Sequence, residues 1–225
     1  MKKIITICLL VVTFLAGGIT MDAKTTKKKA KAKTSQTSRK SPSKGNDLGL
    51  FNVEGKVKTI TYSDDNCLPS PFKSKKPILF SESGECTNLK ELVKQTKGSN
   101  IGKVSIKRNT KGQISEIIGT EGIYINLSWN GDLLKEYITF DERSNSEDTS
   151  KLDYNEGRIS YIDFNGGMSP FWHDSEYIFS DFIEDSYGNW IECTIKFNHT
   201  VGEMFEDETE TTSKTFKLKR TITYY

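Results

Sequence analysis

The chain has 225 residues, with 32 Lys and Arg against 30 Asp and Glu, two histidines, four cysteines and 35% hydrophobic residues. That is enough for one domain with a real core and leaves little room for a two-domain enzyme. The apolar content excludes wholesale disorder, and two histidines without a Cys-x-x-Cys pair argue against a zinc or haem protein.

In chain order, the first segment is a targeting signal. Residues 1–23 read as Lys2-Lys3, an apolar run from Ile4 to Ala16, and small residues around Gly17-Gly18, the layout of a secretory signal peptide. Cleavage after Gly18 or after Ala23 fits equally well. Cys8 lies inside the apolar run, so a lipoprotein signal is not expected. The lysines that follow resist translocation, which leaves a retained membrane anchor as the alternative to cleavage.

Residues 24–46 form a Lys-rich linker. Positions 24–45 hold nine Lys and Arg and no acid. Setting aside those nine, Lys2, Lys3 and Asp22 leaves 21 basic and 29 acidic groups in residues 46–225, a formal charge of −8. Lys, Thr, Ser and Ala without apolar periodicity give a solvated linker that can also contact anionic lipid or polysaccharide electrostatically. The acidic body is a poor footprint for nucleic acid, which is bound through Lys and Arg.

The body, residues 47–225, is predicted as a single β domain. Ile123, Ile125, Leu127 and Trp129 alternate with polar neighbours, and Ile191, Cys193, Ile195 and Phe197 do the same, the period of half-buried strands. A helix is predicted where Leu89, Leu92 and Val93 share a face, with Thr87 or Asn88 as cap and Gly98 as stop. An Asn or Asp, then a Gly, then an apolar residue recurs as Asn52…Gly55…Val57, Asn109…Gly112…Ile114, Asn130-Gly131…Leu133, Asn155…Gly157…Ile159 and Asp185…Gly188…Trp190. Gly and Asn tolerate the positive φ of tight turns, and the next strand must return its apolar side chain to the core. The glycine spacings of 57, 19, 26 and 31 residues describe a degenerate repeat.

These units, with the segment Asp185-Ser-Tyr-Gly-Asn-Trp190 and the closing Arg220-Thr-Ile-Thr-Tyr-Tyr225, resemble secreted YD-repeat (RHS-like) proteins of Bacteroidetes-type bacteria. The resemblance covers about residues 48–225 and departs from the pattern in the insertion between Tyr62 and Gly98. It implies an array of antiparallel hairpins and names no activity. The expected fold is mainly β: a meander of about ten strands in a curved or partly rolled sheet, with one short helix in the insertion. Its apolar face must be covered by rolling up, by the insertion or by a partner.

Candidate sites are few. Cys67 and Cys86 bracket a Pro- and Lys-rich stretch and form a candidate disulfide, worth roughly 3 kcal/mol for a loop of this length in an exported chain. Cys193 falls on the apolar side of its strand and reads as a buried thiol. The stretch Gly166-Gly-Met-Ser-Pro-Phe-Trp-His-Asp174 reads as an unusual loop, in which Phe171, Trp172 and His173 are the candidate binding residues; Phe171 and Trp172 read either as exposed aromatics or as a lid folded back over the sheet. Ser169, His173 and Asp174 can be written as a triad, but nothing supplies an oxyanion hole or a buried orienting acid. His199 reads as a loop residue. Glu203, Glu206, Asp207, Glu208 and Glu210 read as a solvated hairpin tip without a calcium-loop pattern. No cofactor or metal is expected, and the glycines begin strands and do not cradle phosphate.

The expectation is therefore a non-catalytic module of the periplasm, cell surface or extracellular space that binds a protein or a surface glycan. A structural envelope component tethered by its basic tail is the alternative. A carbohydrate-active hydrolase with two acids in a cleft is the third reading.

Overall fold

The computed structural model describes residues 47–63, 76–97, 101–204 and 208–225, so residues 1–46, where a signal peptide and a Lys-rich linker are expected, and Cys67 lie outside the described residues. A 3-10 turn at Leu48–Phe51 precedes strands β1 (Val57–Tyr62) and β2 (Ile78–Leu79) and the helix α1 (Leu89–Lys97). Nine more strands follow: β3 (Val104–Arg108), β4 (Ile114–Gly119), β5 (Ile123–Asn130), β6 (Leu133–Asp141), β7 (Ser146–Asn155), β8 (Arg158–Met168), β9 (Phe171–Glu184), β10 (Trp190–Glu203) and β11 (Thr209–Tyr224).

All eleven strands join one antiparallel sheet in the order β2-β1-β11-β10-β9-β8-β7-β6-β5-β4-β3. From β3 to β11 it is a plain meander, and β1 then returns to pair with the last strand, Ile60 opposite Ile222. The sheet does not close; β2 and β3 are its edges. The fold is the expected mainly β meander with one short helix, built from eleven strands.

Alternation places the strands as the residues demand. Ile123, Ile125 and Leu127 of β5 are buried, and the Trp129 indole N–H donates to the Ile114 carbonyl at 2.7 Å. On β10, Cys193 and Ile195 are completely buried, as expected, but the inner position before them belongs to Trp190, with Ile191 half-buried. The cause is a pair of register shifts between β9 and β10, beside Asp181 at φ +50°. An extra residue on one strand turns the following side chains over. On α1, Leu89, Leu92 and Val93 are buried as predicted. Thr87 and Asn88 serve β2: Thr87 Oγ1 donates to the Leu79 carbonyl, and Asn88 Oδ1 accepts from the Leu79 N–H.

Two of the repeated turns share a hydrogen-bond plan. Asn109 Oδ1 accepts from the N–H groups of Lys111 and Gln113, and Asp185 Oδ1 accepts from those of Tyr187 and Asn189. Gly112 and Gly188, both at positive φ, close their turns on the Asn109 and Asp185 carbonyls. The side-chain oxygen thus replaces backbone acceptors through the bend. Asn52 departs from this plan: it is left-handed at φ +49° and ends the 3-10 turn. It opens no hairpin.

That first unit belongs instead to a strap, residues 47–54, that runs across the turn end of the sheet. Asp47 pairs with Arg108 of β3 at 2.6 Å and accepts from the Cys86 N–H. Gly49 lies against the β5–β6 turn, where an added Cβ would sit 2.1 Å from the Asp132 carbonyl oxygen. Asn52 donates to the Gly157 carbonyl and accepts from the Ile159 N–H, and Glu54 pairs with Asn189. The strap therefore meets the turns in chain order. From the other side, the buried Arg220 of β11 donates to the carbonyls of Trp190, Phe51 and Asn52, with its guanidinium 3.5 Å above the Trp190 ring.

Leu48, Leu50, Phe51 and Val53 of the strap enter one apolar core with Leu92 and Val93 of α1 and the inner faces of the strands. The apolar face is thus covered, at this end of the sheet, by the strap and the insertion.

Candidate binding face

Strands β8 to β11 outrun that cover. Beyond Ile162, Phe179 and Ile195 they continue for several residues to two tips, Ser169–Pro170 and the region of Met204, joined by a Met204 N–H to Pro170 carbonyl bond at 2.9 Å. Here no described element other than a strand lies on the sheet, so its two faces can be compared directly.

The core-side face carries rings. Strand pairing sets Phe164 opposite Ser175, His173 opposite Val201, His199 opposite Ser175, and Phe197 opposite Tyr177, and directly paired residues point the same way. The rings touch in series. Tyr177 and Phe197 lie 4.9 Å apart between centroids, Phe197 and His199 5.8 Å, His199 and His173 6.0 Å, and His173 and Phe164 5.3 Å. Beyond them on this face, Phe171 is 61% exposed and Val201, opposite His173, is 37% exposed.

Polar groups fix this track. The Ser175 hydroxyl, buried beneath it, is 2.8 Å from His199 Nδ1 and orients that imidazole. Gly166, opposite His173, leaves a step over which the Asp148 carboxylate and His173 Nε2 face each other: a Cβ there would lie 2.3 Å from Asp148 Oδ1 and 3.0 Å from His173 Nε2. The rim beyond is charged, with Glu203 opposite Phe171, Glu210 opposite Val201 and Lys214 opposite Phe197.

The outer face is a different surface. Trp172 lies there over Gly202, whose added Cβ would meet the indole at 2.5 Å, an aromatic ring covering a strand glycine. Ser213 donates to Asn198, Asn198 to Glu176, and Tyr161 to the other oxygen of Glu176, while Thr200 and Thr211 share a bond. The bond from Asn198 and then that from Tyr161 hold the Glu176 carboxyl below the usual carboxylate range. Desolvation, with Glu176 beside it, pushes the Tyr161 hydroxyl up to about 12. Ile178, 38% exposed, lies on the same face opposite Tyr161.

The residues expected as a loop are thus a hairpin. Phe171, Trp172 and His173 are the first residues of β9, and strand alternation sends Phe171 and His173 to the core-side face and half-buried Trp172 to the outer one. The two aromatics do not form one patch. His199 is a strand residue of β10 and joins His173. Ser169, His173 and Asp174 do not assemble: Ser169 Oγ reaches toward Met204 Sδ at 4.0 Å, and Asp174 follows Trp172 on the outer side. Cys86 is buried with its Sγ 3.6 Å from Asn88 Oδ1, and as a thiol it is pushed up to about 12 by burial; its proposed partner Cys67 lies outside the described residues. Of the acidic run, Glu206 and Asp207 also lie outside them. Phe164, Ser175, Tyr177 and Phe197 escaped the sequence reading of the site. Their signal was period-two alternation, diluted by the His and Ser that share it.

Two concavities lie elsewhere. A cavity of ≈ 30 Å³ between strap and sheet, lined by Phe51, Tyr62, Tyr154, Ile162, Phe179 and Trp190, has room for a water and not a substrate. A groove of ≈ 290 Å³ on the outer side of β6–β8 interleaves Glu136, Asp153 and Asp163 with Lys135 and Lys151. No group of three or more His, Cys, Asp or Glu among the described residues could hold a metal ion, and no described helix is long and apolar enough to cross a membrane.

No protein-family model matches the chain, and a search of curated proteins finds no match either. Arguments about function therefore rest on the geometry.

Proposed function

We propose that this chain is a non-catalytic binding module of the cell envelope or extracellular space, a short relative of secreted YD-repeat proteins, that engages its partner through the core-side face of the distal sheet. One observation carries the reading: the apolar face of the sheet continues past its cover as a ring track flanked by exposed Val201 and ending in exposed Phe171. Contiguous exposed apolar surface marks interaction sites on soluble proteins. The outer face, by contrast, carries a hydrogen-bonded polar ladder beside Trp172 and Ile178.

The signal layout of residues 1–23 supports export, and the nine basic side chains of residues 24–45 offer a second, electrostatic contact with the envelope. The two contacts differ in salt dependence, since exposed charges are screened beyond about 3 Å at 1 M salt and apolar contacts are not.

Cosedimentation of the full chain with envelopes of the source bacterium tests the reading. Binding should survive 1 M NaCl and fall at least tenfold in Phe171→Ser/Phe197→Ser. Binding abolished by salt and indifferent to that pair of substitutions would overturn it in favour of a component tethered by its tail.

A further inference from the structure

We infer that the ligand of this face is an uncharged polysaccharide, stacked on the track Tyr177–Phe197–His199–His173–Phe164. The inference rests on the reading of this face as the binding surface and names the class of ligand.

Three features argue for it. The rings form a low, continuous path across three strands, each half-buried by its neighbours. Such a path matches a chain of flat amphipathic units with an apolar C–H face, which is what linked pyranose rings present. A protein partner is usually gripped by anchors in deep, desolvated pockets, and this face offers a track with a shallow step at Gly166.

Polar groups also stand among the rings. The imidazoles of His173 and His199 and the Asp148 carboxylate across the Gly166 step can each bond to hydroxyls. Aromatic bodies with polar handles suit a ligand that is apolar on one face and wet at its rim.

Finally, the charges select against acidic polymers. Among the described residues, Asp148, Glu203 and Glu210 share this face with a single lysine, Lys214, so phosphate- or uronate-bearing chains meet net repulsion. An uncharged chain does not, and its hydroxyls donate to these carboxylates.

Affinity electrophoresis of the full chain tests this with hydroxyethyl cellulose, laminarin and a soluble galactomannan as neutral probes, and alginate as the anionic one. Retardation by at least one neutral probe is expected, with none by alginate. Phe197→Ala and His173→Ala should each weaken that retardation about tenfold. Tyr161→Phe, on the outer face, should leave it unchanged and shows that folding is not the cause. Retardation by alginate alone would overturn the inference. So would the absence of any retardation while envelope binding still depends on Phe171 and Phe197: the partner is then a protein, and the binding face stands. If envelope binding is also indifferent to both residues, inference and binding face fall together.

Discussion

Glu54 and Asn189, 135 positions apart, hold each other by both hydrogen-bonding edges. The Glu54 N–H donates to Asn189 Oδ1 at 2.8 Å, and Asn189 Nδ2 donates to the Glu54 carbonyl at 2.9 Å and to the Tyr224 hydroxyl at 2.9 Å. Asn189 thereby acts as a strand partner for the strap. It joins the last repeated turn, the C-terminal strand and the N-terminal crossing in one buried side chain.

Asn189→Ala removes the two hydrogen bonds that Asn189 makes with the Glu54 N–H and carbonyl. At about 0.5–1.5 kcal/mol for each bond lost, a loss of about 1–3 kcal/mol is expected in urea unfolding. Asn189→Asp restores the acceptor and not the donor, and places a charge near Asp185, so it should recover little. A change below about 0.5 kcal/mol in the alanine variant, the range of an ordinary surface substitution, would show that the strap is held elsewhere.

Arg220 is a buried cation that bonds to three carbonyls and stacks on Trp190. Burial lowers its affinity for the proton below that of an ordinary guanidinium. Arg220→Met keeps the volume and removes the donor from all three carbonyls, and should cost about 3 kcal/mol for the charged hydrogen bonds lost. Arg220→Lys should rescue poorly, because one ammonium cannot reproduce a planar fork. Full rescue by lysine, read in the same unfolding experiment, would refute this account of the pin.

At Gly49 a methyl group would meet the Asp132 carbonyl oxygen at 2.1 Å, and backbone cannot rotate aside as a side-chain tip can. Gly49→Ala should lift the strap and cost about 1–3 kcal/mol, the range of overpacking. Hydrogen exchange should rise in residues 48–54 and at the β5–β6 turn, with β9 and β10 unaffected. Uniform acceleration across the sheet would contradict a local strap.

The pH dependence follows from the outer face. Glu176 is held below the usual carboxylate range by Asn198 and then Tyr161, and Glu192 by Lys217 and then Lys219. A carboxyl more acidic in the folded chain than in the unfolded one, near 4.3 for Glu, stabilises the fold above that pH. The contribution is lost as pH falls through the folded value. Stability should thus be level from about pH 7 to 5 and decline below about 4. Glu176→Gln/Glu192→Gln should flatten the decline, and an unchanged acid limb would refute the assignment.

Much of the fold was legible because it is local. Asn109, Asp185 and their glycines encode turns through their own side chains, and the alternation of Ile123, Ile125 and Leu127 encodes a strand directly. The strap was not legible: Leu48-Gly-Leu-Phe51 is too short for periodicity, and its partners Asn189 and Arg220 lie far along the chain. Trp190 displaced Ile191 because a register shift is a property of two strands and cannot be read in one. At the site, His173 was found for its rarity. Phe164, Tyr177, Phe197 and His199 were missed because they come together only when three strands align, and because alternating His and Ser do not read as an apolar face.

The most direct test of the binding face is photo-crosslinking with a benzophenone side chain placed at Phe171, on the core-side face, or at Glu176, on the outer one. Each protein would be expressed in cells of its source organism and irradiated in those cells intact. The account predicts an adduct, protein or glycan, from position 171 and none above background from position 176. Adducts from position 176 alone, or equally from both, would contradict it.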